Sequence, residues 1–273
     1  MRDWLQRIAA LWDRPWNIGT LIGEKYRLER LLGAGSYGFA YAATDCISSQ
    51  QVVIKQLRRS KQLQEAGRKS FQYEQNILRQ LSHPSIPRFR EAFVWQDSSC
   101  FVMDYIQGKT FEDLIFSEQA VFPEADAFLV VERILQIVRY IHAQGIVHRD
   151  LRIPNIILSG GELYIIDFGL ARPAGDWEER EASFSGTKRY MRETQYRSDF
   201  YALGHFLLFL LYSGYEPKKR EQPWYEELAL SAAARHSIRR MLQMEAPYEH
   251  ADEILADVQM IVKGREKACF KRY

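Results

Sequence analysis

The segment His148-Arg149-Asp150-Leu151-Arg152-Ile153-Pro154-Asn155, with Asp167-Phe168-Gly169 beginning seventeen residues after Asp150, decides how this chain is read. It gathers two carboxylates and one amide into a short stretch. Asp167 closes an apolar run, Ile165-Ile166, that reads as a strand. Taken singly, Asp150, Asn155 and Asp167 are ordinary turn-forming polar residues. Two motifs in a fixed order, flanked by further motifs on both sides, are much harder to produce by chance.

Upstream, Tyr26 to Leu32 alternates apolar and polar and reads as a strand. Gly33-Ala34-Gly35-Ser36-Tyr37-Gly38 follows as a glycine turn. Phe39 to Thr44 and Val52 to Leu57 read as further strands. The GxGxxG pattern also occurs in dinucleotide-binding turns, but there a helix follows directly, whereas here strands do. In either setting the missing Cβ lets backbone amides approach phosphate oxygens. Lys55 closes the apolar strand Val52-Val53-Ile54. Leu63 to Leu81 reads as a helix with Phe71, Ile77 and Leu78 on one face, and Glu74 shares that face nineteen residues after Lys55. His83-Pro84 breaks it. Phe89 to Trp95 and Cys100 to Tyr105 read as a hairpin turning at Gln96-Asp97-Ser98-Ser99. Beyond Gly108 helices dominate: Phe111 to Ser117, Glu124 to Gln144, Ser198 to Ser213, then more between Trp224 and Val262. A strand-rich part followed by a helix-rich part, without repeats, predicts an α+β fold of two lobes. A cleft between lobes is the expected ligand site.

With 273 residues and 47% hydrophobic composition the chain can bury a substantial core. A net charge of +2 gives no electrostatic argument for nucleic acid. Cys46, Cys100 and Cys269 are scattered and odd in number, which suits a reducing cytoplasm better than a disulfide framework or zinc site. No run is long enough to span a bilayer; Phe200 to Tyr212 carries His205 and reads as a core helix. Met1 to Trp16 spaces Trp4, Leu5, Ile8, Leu11 and Trp12 helically, and residues 263–273 form a basic tail. Packing or solvation explains both, with peripheral membrane or partner contact as the alternative.

The glycine turn, Lys55, Glu74, the two central motifs and Ser185-Gly186-Thr187 together resemble the protein kinase family, from about Tyr26 to Leu211 and more weakly to Val262. The resemblance implies an N-terminal helical extension over 1–24, an N-lobe over 25–103, a C-lobe over 104–262 that is trimmed after its central helix, and the tail over 263–273. It implies an ATP-dependent enzyme that transfers the γ-phosphoryl group to Ser or Thr of a protein substrate. Asp150 would orient the acceptor hydroxyl and take its proton, and Arg152 would neutralise developing charge. Lys55, held by Glu74, would bind the α/β-phosphates. Asn155 and Asp167 would hold Mg²⁺, two ions in all, with Mn²⁺ able to substitute. Gly33, Ala34, Gly35, Ser36, Tyr37 and Gly38 would cover the phosphates. Ala40, Val53 and Ile157 would join the nucleotide-binding set, with Met103 as gatekeeper and the backbone of Asp104 and Ile106 at the adenine edge. Asp199 would brace the backbone around His148 and Arg149. Thr187 would contact the catalytic Asp. Arg149 would pair with a phosphate on Ser183 or Ser185, although Asp176, Glu178, Glu179 and Glu181 already supply negative charge there.

The chain departs from the family pattern in two places. Ala40 and Val53 exchange the usual Val and Ala, a volume-conserving swap. The Ala-Pro-Glu motif is absent, Arg192-Glu193-Thr194-Gln195 standing instead, and no Arg appears near Ala246-Pro247-Tyr248-Glu249-His250, so both halves of the usual ion pair are expected to be lost. These departures bear on the substrate rather than on phosphotransfer. A small-molecule or lipid phosphotransferase and a catalytically silent scaffold are the alternative readings.

Overall fold

The computed structural model describes residues 13–176, 185–217 and 222–263. They form two compact units, the first ending at Ile106 and the second starting at Gln107.

The first unit is built on one antiparallel sheet. Its strands are β1 (Leu21–Ile22), β2 (Tyr26–Ala34), β3 (Gly38–Asp45), β4 (Gln50–Leu57), β5 (Phe89–Trp95) and β6 (Ser98–Asp104), in the order β1-β2-β3-β4-β6-β5. Leu21–Ile22 add a strand within the stretch expected to be a helical extension, and Asp13–Trp16 are not helical. Residues 1–12 lie outside the described set.

Strand periodicity divides the sheet into two faces. Phe39, Tyr41, Ala43, Val52, Ile54, Cys100 and Val102 form one buried cluster with Ile22, Tyr26 and Leu28, and Trp16, Phe93 and Trp95 pack against it. The intervening residues Val53, Lys55, Phe101 and Met103 belong to the opposite face, in register Val53 with Met103 and Lys55 with Phe101. Each fully buried aliphatic or aromatic side chain contributes roughly 1.5–3 kcal/mol of burial free energy.

The helix expected over 63–81 is found over Glu65–Gln80. A one-turn helix α1 (Arg59–Gln62) precedes α2 (Glu65–Gln80), with Gln64 extended between them at φ −98°, ψ 130°. Phe71 of α2 packs on Phe101, ring centroids 5.1 Å apart. The β5–β6 turn is also shorter than expected. Gln96 and Asp97 alone make it, at φ 46° and 60°, the two-residue geometry whose twist matches paired strands. Ser98 therefore belongs to β6 and is fully buried.

In the second unit, β7 (Lys109–Thr110) pairs with β9 (Ile156–Ser159), which pairs with β10 (Glu162–Ile165); β8 (Ile146–Val147) pairs with β11 (Arg172–Pro173). Phe111–Ser117 winds as a short helical segment that is π-helical from Asp113. The main helices are α3 (Glu124–Ala143), α4 (Gly186–Arg192), α5 (Tyr196–Tyr212), α6 (Trp224–Glu227), α7 (Ala232–Met241) and α8 (Ala251–Val262). Helix α5 buries Phe200, Leu203, Phe206, Leu207 and Leu210 almost completely, which explains its apolar run as core. Among the described residues no helix is long and apolar enough to cross a membrane.

Gly67 supplies a test of how α1 and α2 fit together. A Cβ there would lie 2.3 Å from the Lys61 carbonyl oxygen. Helix propensity alone favours alanine over glycine by about 1 kcal/mol. The clash is with backbone, and overpacking of this kind costs ~1–3 kcal/mol. Gly67→Ala is therefore expected to destabilise the protein, read as a lower urea midpoint; an unchanged or raised midpoint would show that α1 shifts freely.

Candidate active site

In the first unit, the Lys55 Nζ pairs with Glu74 Oε1 across β4 and α2, with side chains only 15% and 7% exposed. The pair forms because α2 turns its Phe71, Ile77 and Leu78 face to the sheet and Glu74 lies among them. Gly38 needs its missing Cβ for the fold itself: an added one would sit 2.1 Å from the Gln56 carbonyl oxygen. Gly33 has open space instead. The turn is closed by Gly35 N–H donating to the Gly38 carbonyl at 2.9 Å, and Arg58 Nε donates to the Gly35 carbonyl at 2.9 Å. Ala34, Gly35 and Ser36 are exposed and Tyr37 half-buried.

Ala40 stands opposite Lys55, and Val53 opposite Ala42. Ala40 and Val53 are therefore diagonal neighbours on one face, about 7–8 Å apart in such pairs. Met103, next to last in β6, is buried. The Asp104 amide donates to the Arg88 carbonyl at 3.0 Å, so that N–H is already engaged, which leaves its carbonyl and the Ile106 backbone for any adenine contact. Burial pushes the Asp104 carboxyl up, but hydrogen bonds from Arg88 and Arg90 outweigh it and hold the group below the usual range.

In the second unit the catalytic-loop residues converge. Asp150 Oδ1 accepts from Arg152 Nε at 2.8 Å, and its Oδ2 from Arg152 Nη2 at 3.1 Å and Asn155 Nδ2 at 2.8 Å. Asn155 Nδ2 also donates to the Asp150 carbonyl at 2.9 Å. Ile166 N–H donates to the Asn155 carbonyl at 2.9 Å, which ties the Asn155 loop to the strand leading to Asp167. Asp167 sits at φ 62° and Arg149 at φ 67°, left-handed conformations that non-glycine residues adopt only when their surroundings impose them. Ile157 is buried on β9.

Asp199 imposes the conformation at Arg149. Its Oδ1 accepts the Arg149 amide at 2.7 Å and its Oδ2 the His148 amide at 2.9 Å, with His142 Nε2 also 2.9 Å from Oδ2. The carboxylate is completely buried. Burial alone would raise its pKa; the hydrogen bonds of His142 and the Arg149 amide and the neighbouring imidazoles bring it below the ordinary value.

Arg192, which the sequence did not single out, donates to the Arg149 carbonyl at 2.6 Å and lies 3.5 Å from Asp150 Oδ1. Its only signal was its place in the stretch that replaces Ala-Pro-Glu. Thr187 does not reach Asp150; it is exposed in the first turn of α4, with Ser185 exposed just before it. The Asp150 oxygens are met by arginines and Asn155 instead. Ser183, Glu178, Glu179 and Glu181 lie outside the described residues. Of the ion pair expected to be lost, a local substitute exists: Glu193 pairs with Arg197 at 3.1 Å and with Arg189 at 3.4 Å.

Among the described residues no cluster of three or more His, Cys, Asp or Glu forms a metal cage. The donor set nonetheless suits a hard cation. Asn155 commits its Nδ2 to Asp150, which turns its amide oxygen outward as an acceptor, and Asp167 offers a carboxylate. Mg²⁺ is commonly bound through one or two such oxygens, with water and substrate phosphates completing the shell.

A protein kinase domain family model matches residues 26–267. The probable serine/threonine-protein kinase YbdM of Bacillus subtilis is 35% identical over 255 residues, which cover 93% of this chain and 96% of that protein. The serine/threonine-protein kinase PrkC of the same organism is 30% identical over 268 residues, 94% of this chain but 39% of PrkC. The kinase domain of Mycobacterium tuberculosis PknI superposes with a TM-score of 0.67 at 21% identity, over 90% of this chain and all of that one. The chain belongs to the protein kinase family, whose members use ATP with a divalent cation.

Acid should destabilise this protein through imidazoles held neutral by burial, His148 completely and His205 and His83 in part. Burial lowers the pKa of His148, His205 and His83. Each is favoured neutral in the fold, while the unfolded chain takes up a proton near pH 6.5. Their contribution is complete above about 6.5 and is lost as pH falls through the lower folded values. Asp199, depressed below about 3.9, adds a second loss only in stronger acid. Urea midpoints should therefore fall between pH 6.5 and 5; a flat or rising midpoint over that range would contradict the assignment of these histidines as neutral in the fold.

Proposed function

We propose that this chain is a bacterial, eukaryotic-like serine/threonine protein kinase that transfers the γ-phosphoryl group of ATP to protein hydroxyls, itself included. The observation that carries this reading is the Asp150 carboxylate, fixed from one side by Asn155 and from another by Arg152, in a loop whose backbone Asp199 braces. Its full-length bacterial relative is named as a kinase of this type. The free thiols of Cys46 and Cys100 agree with a cytoplasmic setting.

In this reading Asp150 accepts the proton of the incoming hydroxyl and aims that oxygen. Lys55, kept in position by Glu74, binds the α/β-phosphates as a point charge. Gly33 to Gly38 cover the phosphates with backbone amides. Ala40, Val53, Met103 and Ile157 line the adenine, and Asp104 and Ile106 meet its edge through backbone. Asn155 and Asp167 hold two Mg²⁺ ions, which supply charge neutralisation on the phosphates when bound. Arg152, bonded to Asp150 through Nε and Nη2, would release that carboxylate to meet the transferring group with the same nitrogens. Arg149 and the exposed Ser185 belong to regulation of the segment that ends in α4.

Asp150→Asn tests the reading. The amide keeps the size of the side chain but cannot take the proton. ATP affinity should stay within about twofold while phosphotransfer falls by ~10²–10⁴-fold. Labelled ATP with site mapping of autophosphorylation checks it. Full activity in the variant would remove Asp150 from its role, and failure of the wild-type protein to label any Ser or Thr would favour the scaffold alternative.

A further inference from the structure

A short segment before β1 contacts α1, which adjoins the helix carrying Glu74, and Tyr41 of β3, which is hydrogen-bonded to β4, and it lies outside residues 26–267 that match the family. Asp13 makes the first contact. Its Oδ1 accepts the Ser60 amide at 3.1 Å and its Oδ2 the Ser60 hydroxyl. Ser60 is the second residue of α1, whose own N-cap residue, Arg58, makes no side-chain cap. Asp13, 47 residues away in sequence, supplies that function. Helix α1 is in turn locked to its neighbours. Arg68 of α2 donates to the Gln62 carbonyl at 2.6 Å, Gln62 Oε1 accepts the Ser99 amide at 3.2 Å, and Gly67 abuts the Lys61 carbonyl. A shift of α1 is thus passed to α2, which carries Glu74.

Trp16 contacts β3 and, through it, β4. Its backbone N–H donates to the Tyr41 Oη at 2.8 Å, and the Tyr41 hydroxyl donates to Gln56 Oε1 at 2.8 Å. Gln56 follows Lys55 on β4, its side chain on the opposite face. Gln56 Nε2 completes the chain to Ser98 Oγ at 3.4 Å. Tyr41 is fully buried and Gln56 nearly so, so this polar chain has little access to water. The Trp16 ring stacks on Tyr41 at 5.9 Å and meets Trp95 edge-on at 4.6 Å, which fixes the segment on the sheet.

We infer that Asp13 and Trp16 are positioning residues for phosphotransfer: one segment, outside the family core, clamps α1–α2 and β4 together and so sets the geometry of Lys55 against Glu74. The inference rests on the role of that pair proposed above. Loss of the clamp leaves both ionic partners intact but frees their supports, and a displacement of about 1 Å at a positioned group can cost up to ~10²-fold in rate.

The test is a double-mutant cycle in the full chain with Asp13→Ala, Glu74→Gln and both together, reading kcat and KM for Mg-ATP in autophosphorylation and ATP affinity by titration, at a temperature well below every melting point. If Asp13 acts through Glu74, Asp13→Ala should lower kcat/KM by about tenfold in the wild type and by less than about twofold in the Glu74→Gln background, because coupled sites are not additive. Asp13→Asn, which keeps an acceptor for the Ser60 amide, should recover most of the loss. Should Asp13→Ala fold poorly, Ser60→Ala, which removes only the hydroxyl contact, replaces it in the cycle. An equal drop in both backgrounds, or no drop in either, would make the segment merely structural and overturn the inference. Wild-type activity in Glu74→Gln itself would instead refute the role of the ion pair.

Discussion

The buried carboxylate of Asp199 is the constraint on which the second unit's chemistry depends. A charge with no access to water must be compensated locally, and here His148 N–H, Arg149 N–H and His142 compensate it. In accepting two successive amides it dictates the backbone between them. Arg149 is pushed to φ 67°, which turns the chain sharply just before Asp150. Asn155 and Arg152 then set the side chain of Asp150 on a backbone that is already fixed. Removing the carboxylate would free two buried amides as well as a turn, the kind of broken buried pairing that costs ~3–5 kcal/mol.

The legible parts of the fold were those where a residue's role is local. The glycine turn and the paired strands were read correctly because hydrogen bonds within a few residues shape them, and the two central motifs were legible as motifs even though Asp199, 50 residues beyond Arg149, sets the backbone there. Glu74 was also legible, since helical periodicity places it on the face that α2 buries. The one-turn helix α1 before it was not, because nothing in Arg59–Gln62 or in Leu63-Gln64 marks a start or a stop; the two helices meet where Gly67 comes close to the Lys61 carbonyl. Nor was the two-residue turn at Gln96-Asp97, where left-handed backbone is adopted without glycine and the polar Ser98 is fully buried as the first residue of β6.

The site residues that escaped the sequence reading are those whose partners are distant. Arg192 meets the Arg149 carbonyl 43 residues upstream, and Asp13 meets Ser60 47 residues downstream. Neither spacing corresponds to a helix turn or strand pair, so no periodicity could reveal it. Thr187 shows the converse: a motif match named a contact with Asp150, yet Ser185-Gly186 begins a helix there, Gly186 at φ 55°, and the winding of α4 carries Thr187 to the surface while bringing Arg192, at the helix's other end, to the catalytic loop.

The departures from the family pattern follow the same logic of local compensation. In the stretch where the usual ion pair is expected to be lost, Glu193 is paired within one turn on either side, with Arg189 and Arg197. In the late helices Arg240 lies 3.8 Å over the Tyr248 ring and pairs with Glu253 and Asp257 at 3.2 and 3.3 Å. Tyr248 is fully buried and donates to Asp257 at 2.6 Å, so this cluster fastens α7 to α8 without any residue from the segment before α5. Exposed pairs in such a network contribute little singly, on the order of 0–1 kcal/mol, but the buried tyrosine makes the arrangement directional.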